Sequence, residues 1–151
     1  MERMSGDEAQ ELLSASMVGH LALARGGEAY AIPLFYAFDG ERLYFHSHPG
    51  LKDEYLDGTK EACFVVTLFE GPDTWRSVQV FGRIEKATLS DDALAALDAL
   101  QKVPFPPEFG VDEAGRPKRS HHRMYIWMLA AERMSGRKSS LPRDEPGIDA
   151  A

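Results

Sequence analysis

Apolar and polar residues alternate through most of this chain with the two-residue period of a strand, not the 3.6-residue period of a helix. Met17-Val18-Gly19-His20-Leu21-Ala22-Leu23-Ala24 is the first such run, Ala29 to Phe38 the second, and Leu43-Tyr44-Phe45-His46 the third. Gly26-Gly27 and Asp39-Gly40 separate them, and such pairs accept the positive φ that a tight hairpin requires. The pattern predicts a three-stranded antiparallel meander. Pro33 lies inside the second strand; having no N–H to give a ladder, it belongs at an edge or a bulge. Ala62 to Phe69 predicts a buried fourth strand. Gly71-Pro72-Asp73 turns the chain into a long fifth strand, Trp75 to Ala87, with a bulge at Gly82. Met124 to Ala131 predicts a sixth.

Helical spacing appears in fewer places. Ser5-Gly6-Asp7-Glu8 has the form of a capping box, and Ala9, Leu12 and Leu13 follow on one face, so residues 5–15 predict a short helix. Pro49 to Leu56 can form another. Ser90-Asp91-Asp92 opens a third, with Ala93, Leu94, Leu97 and Leu100 on one face. Residues 103–120 hold four prolines and two glycines and read as an ordered loop. Six strands with hairpin links and a few short helices predict a mainly β domain over residues 1–138. The architecture expected is a small six-stranded antiparallel barrel, because closure removes exposed edges. Residues 139–151 are polar and predict a flexible tail.

Composition narrows the function. The 151 residues fit one domain, and 44% hydrophobic with 27% charged residues is an ordinary globular balance. No apolar run approaches the roughly 20 residues that span a bilayer, and no signal-peptide pattern opens the chain. A formal charge of −7 repels nucleic acid and anionic membranes, so neither is expected as a partner. The single cysteine, Cys63, sits in an apolar run and suits a reducing, cytoplasmic compartment; it reads as core, not nucleophile. Residues 116–123 stand apart, with four positive charges and no acid. They read either as a solvated loop or as a local attraction for an anionic ligand.

Two spots carry ligand chemistry. Gly50-Leu51-Lys52 follows His46-Ser47-His48 where a strand feeds a helix, which supplies free amides, a hydroxyl and a cation: the parts of a phosphate cradle. Trp75-Arg76-Ser77 groups an aromatic, a cation and a hydroxyl at a strand start. Composition alone allows the plainer readings, a strand–turn–helix with a surface lysine and a tryptophan covering one barrel end. His46 and His48 share a strand face, but no cysteine or carboxylate completes a metal set. No nucleophile elbow, Walker loop or dinucleotide fingerprint is present.

The order Gly19-His20-Leu21-Ala22, Ala31-Ile32-Pro33-Leu34-Phe35-Tyr36, Asp39-Gly40, Leu43-Tyr44-Phe45-His46-Ser47, Gly50-Leu51-Lys52, Trp75-Arg76-Ser77-Val78 and Phe81-Gly82 resembles the FMN-binding split-barrel superfamily. More narrowly it is similar to the pyridoxamine 5′-phosphate oxidase-like branch that includes the 5-nitroimidazole resistance proteins. The resemblance spans residues 8–138 and is most specific from Ile32 to Lys52. It implies an FMN-binding homodimer with the cofactor between two barrels. By the same resemblance Ile32, Pro33 and Leu34 would line the isoalloxazine, and His46 and Ser47 would approach the ring and ribityl phosphate. Lys52 would pair with the phosphate. Trp75, Arg76 and Ser77 would approach the flavin in part across the dimer interface, and Arg137 matches the end of the family's C-terminal strand. Two features depart from the pattern: Leu51 stands where nitroimidazole resistance proteins often carry histidine, and no Arg-rich C-terminal segment is present. The resemblance implies an FMN-dependent oxidoreductase acting on a small organic acceptor, with NAD(P)H as a possible donor. Related split barrels also bind haem or a deazaflavin, which leaves a non-catalytic carrier or sensor as the alternative.

Overall fold

The computed structural model describes residues 1–47, 55–56, 60–88, 90–105 and 125–140. Along them run β1 (Glu2–Arg3), α1 (Gly6–Ala15), β2 (Val18–Arg25), β3 (Glu28–Phe35), β4 (Ala37–Phe38) and β5 (Arg42–Ser47). These are followed by β6 (Glu61–Gly71), β7 (Thr74–Lys86), α2 (Ser90–Gln101), β8 (Tyr125–Ala130) and β9 (Arg133–Lys138). The first hairpin of the predicted meander forms, whereas the second strand reaches the third only through the two-residue β4. Gly26 and Gly27, at φ of +56° and +83°, turn β2 into β3, which pair from Val18–Phe35 to Arg25–Glu28.

Neighbouring strands follow the order β3-β2-β6-β7-β8-β5-β4, all antiparallel. Only Tyr36 separates β3 from β4, so the path returns to its start and forms a six-membered ring. No ladder joins β3 to β5 among the described residues, and the wall is split there. Pro33 sits on that open edge, where its missing N–H costs no ladder bond. The sixth predicted strand is β8. Outside the ring lie β9, paired to β7, and the two-residue β1, paired to β9. Neither follows from the apolar pattern, because Glu2–Arg3 is too short for one and Arg-Met-Ser-Gly-Arg-Lys shows no alternation; the family resemblance alone set Arg137 at a strand end.

The 13-residue β7 serves both neighbours. Residues 76–81 pair with β9, and residues 84–86 pair with β8. Gly82 marks the exchange: a Cβ there would lie 1.8 Å from the Ala130 carbonyl oxygen. Gly82 is therefore not the expected bulge. It pairs in register with Ala62, and the register shift falls between Phe69 and Gly71.

Alternation sends Leu21, Leu23, Phe64, Val66, Val78 and Val80 into one core, with Leu43, Phe45 and Leu129 from the other half of the ring. The capping box of α1 forms as expected: Glu8 N donates to Ser5 Oγ and Ser5 N to Glu8 Oε2. The helix lays Ala9, Leu12 and Leu13 on that core. Tyr36 Oη donates to the Leu13 carbonyl at 2.6 Å, and burial raises its pKa well above the ordinary tyrosine value. A second cluster lies outside the barrel wall. There α2 lays Ala96, Ala99 and Leu100 on Ala37 and Tyr44. The predicted face of α2 is rotated: Leu94 is 66% exposed and Ala96 is buried. The small alanines let the helix approach the sheet, which a count of large apolar residues does not reveal.

Of the predicted Pro49 helix only Tyr55 and Leu56 are described, and they are helical; most of the 103–120 loop and all of 116–123 lie outside the described residues. Ser139 and Ser140, the first residues of the expected tail, are tied in: Ser139 N donates to the Trp75 carbonyl and the Met1 amine to Ser140 Oγ. No described helix is long and apolar enough to cross a membrane.

Candidate functional site

Cross-strand partners in an antiparallel ladder point to the same side. The outward side of β3, β2, β6, β7 and β9 can therefore be read row by row. One row is Ala31, Ala22, Cys63, Phe81 and Arg133; the next is Pro33, His20, Val65, Gln79 and Ser135. A third joins Thr67, Ser77, Arg137 and Arg3. No described element covers this face.

The third row holds the densest polar chemistry. Thr67 Oγ1 and Ser77 Oγ are 2.9 Å apart and share a hydrogen bond. Arg137 lies beside Ser77, its Nη1 donating to the Gly136 carbonyl, and no carboxylate belongs to the row. Two hydroxyls and a guanidinium without an acid suit a phosphate oxygen, which accepts from all three. One step further along the strands Trp75 faces Phe69 across the hairpin. Arg137, distant in sequence, is brought here beside Trp75 and Ser77. Arg76 is not: it pairs with Leu68 and Lys138, on the opposite side of β7. On that side Lys138 Nζ lies 2.6 Å from Glu8 Oε1, binding β9 to α1.

The remaining candidates gather at the split. Ile32 and Leu34 are half-buried against the core, and Pro33 is exposed between them. His46 is buried, 7% exposed, within an edge-on contact of Phe105 at 5.6 Å. Phe105 also meets Phe35 edge-on at 5.7 Å, so one ring joins the end of β3 to the end of β5. Ser47 pairs through its backbone with Tyr125. Lys52 and His48 lie outside the described residues. Between Pro33 on β3 and Gln79 on β7 there are three strand spacings, about 14 Å across the sheet. The split and the hydroxyl–arginine row thus border one continuous outer face.

Cys63 corrects the expectation of a buried core residue. It is half-buried on the outer face, where burial pushes its thiol pKa up against the opposing pull of Arg133. Arg133 itself lies 4.1 Å over the Phe81 ring. Among the described residues no group of three His, Cys, Asp or Glu side chains could hold a metal ion. Sequence reasoning missed Thr67, Arg3 and Phe105. Folding the fourth and fifth strands about the Gly71–Asp73 turn would have found Thr67, whereas Arg3 and Phe105 arrive by pairings with no local signal.

The family model described as pyridoxamine 5′-phosphate oxidase matches residues 5–138. An uncharacterized protein of Rhizobium meliloti (strain 1021) is 30% identical over 105 residues, covering 67% of this chain and 70% of that one. The crystal structure of an FAD-binding protein from Mesorhizobium loti shares 28% identity with a TM-score of 0.76, covering 93% of this chain and 97% of the other. A candidate 5-nitroimidazole antibiotic resistance protein from Bacteroides thetaiotaomicron shares the fold at 17% identity, with a TM-score of 0.70 and coverage of 91% and 86%.

Proposed function

The chain belongs to the pyridoxamine 5′-phosphate oxidase family, and from that membership we propose that it is a flavin-binding homodimer that reduces a small organic acceptor. The observation that carries this reading is the acid-free row of Thr67, Ser77 and Arg137 on an uncovered sheet face. The FAD bound by the Mesorhizobium loti relative supports a flavin as the ligand. Ser77, Thr67 and Arg137 would hold phosphate oxygens, and Lys52 is a further cation proposed for the same group. Pro33, with Ile32 and Leu34 on either side, would offer the β3 edge to the flat ring, with His46 and Ser47 beside it. A bound flavin supplies hydride or single-electron transfer, so the chain need only hold it, orient it and control access. FMN is the form expected from the sequence, and FAD is the form the relative binds.

The dimer reading rests on the same face. Ala22, Ala31, Pro33, Cys63, Val65 and Phe81 give it a largely apolar middle, and Val18 adds an exposed apolar side chain beside it. A two-fold partner would cover such a patch with its own copy and shelter a flavin between the two. The purified protein should be yellow, and mass analysis of the released chromophore should give FMN or FAD. NAD(P)H should bleach it in the absence of air. Light scattering should return twice the chain mass. A colourless protein that takes up neither FMN nor FAD sinks the proposal, and a Soret band in its place assigns haem.

A further inference from the structure

β1 does something the cofactor reading leaves unused. Its register sets Arg3 directly opposite Arg137. Like charges at opposed positions of an antiparallel pair repel and destabilise it. Neither arginine has an ion pair among the described residues. Beside them lie the Thr67 and Ser77 hydroxyls, which add donors and no negative charge. An anion between the guanidiniums would relieve that repulsion, and a diphosphate carries enough charge and acceptor oxygens to bridge both.

The next positions outward form a concavity. Met1, Pro72, Asp73, Trp75, Ser139 and Ser140 line a cleft of about 240 Å³, large enough for one flat heterocycle. Its parts are fixed: Trp75 N donates to Ser139 Oγ, Ser139 N to the Trp75 carbonyl, and the Met1 amine to Ser140 Oγ. The half-buried Trp75 offers a flat aromatic surface on which a base can stack. Asp73 repels phosphate from the cleft but can accept from a ribose diol. A flat base in the cleft would therefore direct its phosphates toward Arg137 and Arg3.

We propose that β1 and β9 complete a binding site for an adenine nucleotide, with Arg3 and Arg137 on the phosphates and the base in the Trp75 cleft. This extends the flavin reading, since the nucleotide can be the adenosine half of FAD or of a nicotinamide donor, but it does not require a flavin. ADP is the probe. The chain has two tryptophans, and the other, Trp127, is buried. Addition of ADP should therefore quench Trp75, and Trp75→Phe should abolish the signal. Arg3→Gln should raise the ADP dissociation constant about tenfold, and Arg3→Lys should restore most of it. Arg3 is exposed on an edge strand, so the fold should survive, as circular dichroism can check.

Absence of ADP binding to the wild type overturns the proposal, as does equal ADP affinity in Arg3→Gln. If Arg3→Gln weakens FAD but not FMN, the nucleotide belongs to the flavin. If it weakens NADPH and leaves FAD unchanged, it belongs to the donor. ADP binding by a protein that takes no flavin would keep this site and discard the flavin reading. Flavin binding without ADP binding would do the reverse.

Discussion

The barrel has two outer faces, built from different strands and treated oppositely. Over β4, β5 and β8 the face is sealed: α2 presses Ala96, Ala99 and Leu100 onto Tyr44 and Ala37, and Ile126 and Met128 pack against the same cluster. Over β3, β2, β6, β7 and β9 no described element lies, and the face carries hydroxyls, a half-buried thiol and two opposed arginines. The sealed face resembles a second core and contributes stability. The open face contributes little to stability and holds the groups able to meet a ligand. β7 makes this division possible by crossing from one sheet to the other at Gly82.

The sharpest way to break the comparison is therefore at Gly82. Gly82→Ala places a methyl 1.8 Å from the Ala130 carbonyl oxygen, which is backbone and has no rotamer to yield. Separation of β7 from β8 should follow, at a cost of about 4 kcal/mol or more. Urea unfolding should show it, and a loss below about 1 kcal/mol would mean that β8 can move aside. Next in size is the sealed face. Leu100 is 1% exposed, and Leu100→Ala should cost about 3 kcal/mol by loss of apolar burial and the cavity left behind. If the protein binds flavin, that variant should keep its affinity per folded molecule.

The open face should respond in the opposite sense. Ser77→Ala removes one small hydroxyl from a half-buried position and should change stability by less than about 0.5 kcal/mol. Its effect should fall on flavin affinity, weakened about tenfold, or about 1.4 kcal/mol. Fluorescence titration with FMN and FAD separates the outcomes. A large loss of stability with unaltered affinity would make the Thr67–Ser77 pair structural and remove the row from the site.

This contrast also explains what could be read in the chain beforehand. The first hairpin, the Pro33 edge and the long fifth strand were legible because alternation and turn glycines are local signals. The covered face of α2 was misplaced because it uses Ala96 and Ala99, small residues chosen for close approach, while Leu94 points to solvent. β9 was not legible as a strand because one of its sides holds Arg133, Ser135 and Arg137, as polar as a loop. On the site, Trp75 and Ser77 stood out as neighbours, but their spacing also drew in Arg76, which alternation turns to the other side of the strand. Thr67 and Arg3 join Ser77 through register, and register is a property of the folded sheet. A sequence shows which residues could bind; which of them share a face is decided by pairing.

The smallest effect belongs to the sealed side and concerns pH. Asp39 closes the turn between β4 and β5: its Oδ1 accepts from Glu41 N at 2.9 Å and Arg42 N at 2.7 Å, and its Oδ2 from Tyr44 Oη at 2.7 Å. Arg42 continues to Asp92 on α2 at 2.8 Å. Burial opposes ionisation of Asp39, but the Tyr44 and backbone hydrogen bonds outweigh it, so the carboxyl titrates below its ordinary value of 3.8. Burial, then the hydrogen bond to Asp39, pushes Tyr44 up to about 12 from 10.0. A lowered carboxyl stabilises the fold above its ordinary value, and that stability is lost as pH falls through the folded-state value. A raised phenol stabilises it below 10.0, and that stability is lost as pH rises toward about 12. Asp39→Asn should therefore cost about 1 kcal/mol at neutral pH, a figure reduced for solvent screening. The difference from wild type should shrink below the ordinary aspartate value of 3.8. Tyr44→Phe should flatten the alkaline loss between 10.0 and about 12, whereas Ser77→Ala, on the open face, should leave both limbs unchanged. Thermal unfolding measured across pH reads all three. A wild type and Asp39→Asn separated by the same amount at every pH would show that the turn is closed by shape alone, with no share from the carboxylate's charge.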